Sequence, residues 1–99
     1  MNVAEFRESL KKHRPPTGLS AALQALWWDA KENWDRAHEA AQQDEGPDGS
    51  WVHAYLHRKE GDLPNAKYWY RRADRAVGYG DSQREWEKIV GELLRSSGQ

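Results

Sequence analysis

The sequence predicts an all-α protein, and three observations lead to that prediction. Val and Ile are scarce, and no stretch alternates apolar with polar residues in the way that a half-buried β-strand does. Apolar residues instead recur every three or four positions, which places them on one face of a helix. Residue types that begin or end helices, mainly Asn, Asp, Ser, Gly and Pro, separate these stretches. We therefore expect several short helices joined by tight turns.

Residues 1–18 predict a short helix followed by a Pro-rich linker. Asn2 and Glu5 have the spacing of a capping box, in which each side chain accepts a hydrogen bond from the other residue's backbone N–H. We expect this helix to reach about residue 12. The linker that ends it is the run Pro15-Pro16-Thr17-Gly18, since neither Pro nor Gly continues a helix well.

Residues 19–44 predict a first helical hairpin. Its two helices are expected over residues 19–32 and 34–43. Leu23 and Leu26 belong to an apolar stripe that indicates the first helix. Asn33 stands where its side chain can cap the second helix.

Residues 50–77 predict a second hairpin, which follows a loop over residues 44–49. Its helices are expected over residues 50–60 and 63–77. Gly61 ends the first of them, because a left-handed closing residue costs least without a Cβ. Asp62 can cap the next helix, and Pro64 is tolerated in its first turn. A small-large-small ridge on that helix consists of Ala66, Tyr70 and Ala73.

A C-terminal capping helix is predicted over residues 81–95. The break Gly78-Tyr79-Gly80 separates it from the second hairpin. Ser82 and Glu85 have the spacing of a second capping box, and apolar residues follow at helical intervals. The tail from Ser96 to Gln99 is expected to fray.

Length and composition limit what the chain can be. Its 99 residues suit one domain over residues 1–99, and its net charge of −1 creates no general attraction to nucleic acid or to an anionic membrane. Cysteine is absent, which excludes disulfides, thiolate nucleophiles and Cys-based zinc sites and suits the cytoplasm. No apolar stretch approaches the about 20 residues that span a bilayer. We expect a cytoplasmic protein without a membrane partner, and nucleic acid is disfavoured as a partner.

The two predicted hairpins repeat each other at an offset of 29 residues. This offset aligns Ala37 with Ala66 and pairs the expected caps Asn33 and Asp62. Together with the run from Gly61 to Ala73, it resembles tetratricopeptide and Sel1-like repeats over residues 19–76. The resemblance implies a right-handed array of helical hairpins that binds a protein, a peptide or a small ligand rather than transforming it.

The sequence departs from the tetratricopeptide pattern in two ways, which change the architecture that we expect. The offset is shorter than the 34-residue period of that repeat, and the apolar stripe of each first helix is shifted by about one residue. Two units are also fewer than a solenoid needs, so we expect the flanking helices to act as caps of a compact, bundle-like array. Residues 51–62 further resemble a segment of small bacterial proteins, a likeness that implies no activity.

His53 and His57 are the clearest candidates for metal binding. They lie one helical turn apart, and Glu60 extends the same ridge by three residues. His38, on the preceding unit, could add a third nitrogen. Two imidazoles and a carboxylate suit zinc, manganese or iron. The alternative is that these side chains pack as polar groups or bind a ligand other than a metal, and that the protein has no cofactor.

A pocket between the hairpins for an anionic small molecule or peptide is the leading functional expectation. Aromatic faces would supply apolar contacts, and guanidinium groups would orient a carboxylate. The residues expected to line it are Trp51, His53, Tyr55, His57, Arg58, Tyr70 and Arg71. The alternative is that the basic residues of the 67–75 segment form a solvated face.

Six Trp residues in a chain that is 37% hydrophobic must supply much of the core. Trp27 and Trp28 diverge by about 100° on a helix, so both cannot face one core. Trp27 flanks the apolar stripe, whereas Trp28 points away from it. Trp28 therefore packs on another helix of the same chain, on a ligand, or on a second copy in a homodimer.

Three functional hypotheses remain open at this point. The first is a tetratricopeptide-like binding module. The second is a His/Glu metal-binding protein, including a metal-dependent hydrolase, and the third is a homo-oligomeric structural protein. The sequence contains no arrangement of nucleophile, base and acid and no Gly-rich phosphate loop, so no catalytic residue is predicted and a non-enzymatic function is favoured.

Overall fold

The computed structural model describes residues 1–96, and every regular element in that range is a helix. The helices are α1 Val3–Ser9, α2 Ala21–Ala30, α3 Trp34–Gln42, α4 Pro47–Lys59, α5 Leu63–Arg72 and α6 Ser82–Ser96. The all-α prediction is thus confirmed, and no β-strand occurs among residues 1–96. None of these six helices combines the length and the apolar character needed to cross a membrane. The radius of gyration of 12.3 Å matches the about 13 Å expected of a compact 100-residue domain.

The predicted helix caps are largely confirmed. Asn2 and Glu5 form the capping box of α1, with Asn2 accepting from the Glu5 N–H over 2.8 Å. The side chains of Asn33 and Asp62 accept from backbone N–H groups three residues later and cap α3 and α5. Of the tail predicted to fray, Ser96 is the last residue of α6, and residues 97–99 lie outside the described residues.

Three helix boundaries differ from the prediction by three residues or more. α1 ends at Ser9 rather than at about residue 12. α4 begins at Pro47 rather than at residue 50, because Pro suits a first helical turn and Gly46 before it is extended. Gly49 permits this early start, since a Cβ there would overlap the carbonyl oxygen of Asp44. α5 ends at Arg72 rather than at about residue 77, and Asp74 beyond it is left-handed with φ of 57°.

The predicted capping box at Ser82 and Glu85 is wrong. Asp81 caps α6 instead, since its carboxylate accepts from the Gln83 N–H over 2.9 Å. The Glu85 side chain turns inward, where it pairs with Arg58 over 2.9 Å and accepts a hydrogen bond from Tyr70. Burial inside the helical stack gave this carboxylate partners that local spacing does not reveal.

The connections α2–α3 and α4–α5 share one backbone conformation. Glu32 and Gly61 are both left-handed, with φ of 61° and 90°. In each case the next residue, Asn33 or Asp62, donates its N–H to the carbonyl five residues earlier over 2.9 Å. The 29-residue offset of the sequence is therefore also present in the turn geometry.

Helix α4 lies at the centre of the molecule and contacts α2, α3, α5 and α6. Its residues from Gly49 to Leu56 are all buried. Trp51 on α4, Trp27 on α2 and Trp86 on α6 are all buried in the core, with exposed fractions of 3%, 0% and 4%. The expectation that Trp residues fill the core is confirmed for these three.

Candidate functional site

Three of the four His residues lie together where α3 meets α4. His38 comes from α3, and His53 and His57 lie one turn apart on α4. The centroids of the three imidazole rings are separated by 5.4, 5.5 and 5.6 Å, so they form a nearly equilateral triangle. We call this group, with Glu60 beside it, the histidine cluster.

Donor atoms of His38, His57 and Glu60 all lie within 4.8 Å of one another. The Nδ1 atom of His57 is 2.7 Å from a carboxylate oxygen of Glu60, the residue that closes α4. The Nε2 atom of His38 is buried, and it has no hydrogen-bond partner among residues 1–96. Buried polar atoms nearly always have partners, so this nitrogen calls for an explanation.

Aromatic side chains hold the rings of the histidine cluster in place. The Trp34 ring lies 4.3 Å from that of His38. Trp69, on α5, stacks on His53 with a centroid distance of 4.3 Å and an interplanar angle of 22°. The Arg72 guanidinium lies 5.2 Å from the Trp69 ring on its own helix. Such neighbours limit the rotation of the His38 and His53 rings.

The surroundings of His38 and His53 favour the neutral form of these two imidazoles. Burial lowers the pKa of His53 to about 4, and the neighbouring His38 and His57 act in the same direction. Burial also lowers the pKa of His38, with a further contribution from His57 that Glu60 and Asp35 oppose. A neutral imidazole has a free nitrogen lone pair, which is the form that ligates metals.

A cavity of about 710 Å³ opens beside the histidine cluster. All three cluster imidazoles line it. Asp44 and Glu45 contribute carboxylates to the same cavity, and Arg72 contributes a guanidinium. The cavity thus has room for a small ligand beside the imidazoles, whereas Glu60 does not line it.

Of the seven residues predicted to line a ligand pocket, His53 and His57 lie in this cavity and the others do not. The hydroxyl of Tyr55 donates to the buried Asp29 over 2.8 Å. Arg58 and Tyr70 share the buried Glu85. The remaining two are Trp51, which is buried, and Arg71, which is exposed.

The structure brings three of the four predicted metal ligands together. His38, His57 and Glu60 form the set of three donors, whereas His53 is stacked on Trp69 beside it. The sequence did not predict that Trp34 and Trp69 contact the rings of His38 and His53. The four-residue spacing from Trp34 to His38 could have indicated their contact, because it places both on one helix face. No local signal links Trp69 to His53.

No protein-family model, no curated protein and no solved structure matches this chain. What the histidine cluster does must therefore follow from its own donor atoms, distances and charges.

Proposed function

We propose that this protein binds one divalent transition-metal ion, preferably zinc, through His38, His57 and Glu60. The observation that carries the proposal is the buried Nε2 atom of His38, which has no partner among residues 1–96 and belongs to a set of three donors within 4.8 Å. A buried polar atom without a partner costs about 1–3 kcal/mol. Ligation of a metal ion would remove that cost.

The donor types suit zinc and iron better than magnesium. Two imidazole nitrogens and one carboxylate can ligate zinc and are also the usual set of non-haem iron sites, whereas magnesium prefers sites made of oxygen. Ligands of a tetrahedral zinc lie about 3.4 Å apart, so the three donors would move closer together on binding. Three protein ligands leave the fourth position to water, which is typical of catalytic rather than structural zinc sites. Hydrolysis is the chemistry that such a bound water supplies.

Zinc titration of metal-free protein tests the proposal. We would strip untagged protein with EDTA, remove the chelator and follow binding by calorimetry and by Trp fluorescence, since Trp69 and Trp34 contact the rings of His53 and His38. We expect one zinc per chain with a Kd of about 1 μM or below. His38→Ala and His57→Ala should each weaken binding about 100-fold or more.

His13→Ala is the matched control, because His13 is exposed in the linker and is the one His outside the cluster. Its zinc affinity should equal that of the wild type. Absence of zinc binding at about 0.1 mM would contradict the proposal. Equal losses in the His13 and His57 variants would contradict it as well, since they would indicate non-specific binding.

A second proposal concerns the architecture. We propose that residues 19–44 and 50–77 are tandem tetratricopeptide-like hairpins in a right-handed array, capped by residues 81–95. The supporting observation is the shared turn geometry at an offset of 29 residues. Helical repeats usually bind protein or peptide, so a cytoplasmic binding module for a peptide or a small anion belongs to this proposal. Screening the protein against an array of acidic peptides tests the binding module, and a complete lack of binding would contradict that part of the proposal.

A homodimer through the Trp28 face is the remaining hypothesis. Trp28 is half-buried, with its ring edge-on to Trp27 at 4.9 Å and under the Arg36 guanidinium at 4.8 Å. These contacts lie within one chain and already cover part of the ring. Sedimentation equilibrium decides the matter: a monomer at high concentration excludes the dimer, and a dimer lost in Trp28→Ala supports it.

A further inference from the structure

A second cavity, which shares no lining residue with the histidine cluster, lies between α6 and the loop that precedes it. Its volume is about 460 Å³, within the about 300–1,000 Å³ of small-molecule sites. We call it the α6 cleft. The aromatic and basic residues that line it are Trp51, Arg75, Tyr79, Arg84 and Lys88.

Arg75 forms a fixed platform in the α6 cleft. Its guanidinium lies 3.8 Å from the centre of the Trp51 ring and bonds to Glu92 over 2.8 Å. These two contacts orient the group before any ligand arrives. The Arg75 side chain is nevertheless 40% exposed, so part of the guanidinium remains open. A planar, oriented guanidinium is a good stacking surface for a flat ring.

Arg84 and Lys88 supply positive charge to the same cleft. They lie one turn apart on α6, and within residues 1–96 neither of them forms an ion pair. The lining also has two acidic residues, Asp81 and Glu85, so it carries three positive and two negative side chains. Glu85 pairs with Arg58, and Asp81 caps α6.

Tyr79 stands at the edge of the α6 cleft and is 91% exposed. It lies between Gly78 and Gly80, and Gly80 has a left-handed φ of 77°. An aromatic side chain with so little packing contributes nothing to the core. It is placed, however, where its ring could cover a ligand in the cleft.

We infer that the α6 cleft binds a small aromatic anion, that is, a flat ring carrying a carboxylate or a phosphate group. The ring stacks on Arg75 and is covered by Tyr79. The anionic group is held by Arg84 and Lys88 through charge-assisted hydrogen bonds. This site is independent of the proposed metal, because none of its residues belongs to the histidine cluster.

Chemical-shift titration of ¹⁵N-labelled protein tests this inference, with EDTA present to keep metal out. The probes are benzoate and phenyl phosphate, which distinguish a carboxylate from a phosphate ligand. Inorganic phosphate lacks the ring, and benzylamine reverses the charge. We expect benzoate, phenyl phosphate or both to shift the amides of Tyr79, Arg84 and Lys88 with a Kd of about 1–10 mM, as befits so small a ligand. Phosphate and benzylamine should bind at least about tenfold more weakly.

The double variant Arg84→Ala/Lys88→Ala should weaken binding of the aromatic anion about tenfold or more, because both charged donors are lost. Its matched control is Lys12→Ala/Arg14→Ala, which removes the same two residue types from the exposed linker. This control should bind as the wild type does. The inference is overturned if neither benzoate nor phenyl phosphate binds, if the α6 double variant binds as tightly as the wild type, or if phosphate or benzylamine binds as tightly as the better aromatic anion.

Discussion

At the scale of single residues, buried carboxylates connect helices that are distant in sequence. Glu85 on α6 pairs with Arg58 on α4, and the side chains of the pair are only 8% and 12% exposed. Burial raises the pKa of Tyr70, and the hydrogen bond that Tyr70 donates to Glu85 adds to this effect. Gly78 leaves room for the group, since a Cβ there would lie 2.6 Å from the Glu85 carboxylate carbon.

The first prediction compares Glu85 with Glu87, two residues further on the same helix. Glu85→Ala should lower the free energy of unfolding by about 3 kcal/mol or more, because it leaves the Arg58 charge buried without its partner. Glu87→Ala should cost less than about 1 kcal/mol, because Glu87 and its partner Arg7 are 49% and 47% exposed. Urea denaturation followed by Trp fluorescence measures both values. Equal losses would show that the Glu85 pair contributes no more than a surface pair.

At the scale of the elements, the two short helix connections adopt the same left-handed conformation with different residue types. Gly61 adopts its left-handed conformation at no steric cost, whereas Glu32 adopts the same conformation with a Cβ. A non-Gly residue in this region is strained by about 1 kcal/mol. The first connection is therefore the less favourable of the two.

The second prediction exchanges these residue types. Glu32→Gly should raise the free energy of unfolding by about 0.5–1 kcal/mol, and Gly61→Ala should lower it by about 1 kcal/mol. A Cβ at Gly61 would touch nothing within 4 Å, so the effect of that substitution reports backbone strain alone. Thermal unfolding by circular dichroism provides the measurement. Changes of the same sign in both variants would show that the two turns are not equivalent.

Helix caps and turns could be predicted because their causes are local. Asn2, Asn33 and Asp62 each bond a backbone N–H three residues later, so spacing alone identifies them. The spacing of Ser82 and Glu85 led to a wrong prediction, because the partners of Glu85 lie 15 and 27 residues away in sequence. Local pattern cannot tell a capping carboxylate from one that the tertiary structure buries.

The candidate site, like the helix caps, could be predicted only where its geometry has a local cause. The approach of His53 and His57 follows from helical spacing, and the 29-residue repeat placed His38 nearby. The stacking of Trp69 on His53 depends on how α5 lies against α4, which no short pattern determines. Predicted pocket residues such as Tyr55 and Arg58 instead found partners inside the core, in Asp29 and Glu85.

At the scale of the whole molecule, the histidine cluster connects the two halves of the chain. His38 belongs to residues 19–44, whereas His57 and Glu60 belong to residues 50–77. A bound metal would therefore tie these two segments together. By mass action, zinc at 100 times its Kd should add about 2.7 kcal/mol to the free energy of unfolding. Protons compete with the metal for the same nitrogens, so this gain should diminish as the pH falls.

Protons should also act on the metal-free protein, and this is the third prediction. The pKa of His53 is lowered from 6.5 to about 4 in the folded chain, so the unfolded chain binds a proton more readily. The stability that neutral His53 confers is therefore complete above about pH 6.5 and is lost as the pH falls toward 4. The lowered pKa of His38 acts in the same direction.

Urea denaturation in EDTA across this range should show a decrease of up to about 3 kcal/mol between pH 7 and pH 4. His53→Gln should flatten the curve between pH 6.5 and 4, because an amide does not titrate, whereas His13→Gln should retain the wild-type slope. The flattening must lie in that window, since carboxylates such as Asp62, with its lowered pKa, govern stability below it. Parallel curves for the wild type and the His53 variant would exclude His53 as the origin of the acid sensitivity and leave His38, whose pKa is also lowered. A flatter curve for the His53 variant alone would assign it to the buried imidazole that Trp69 covers.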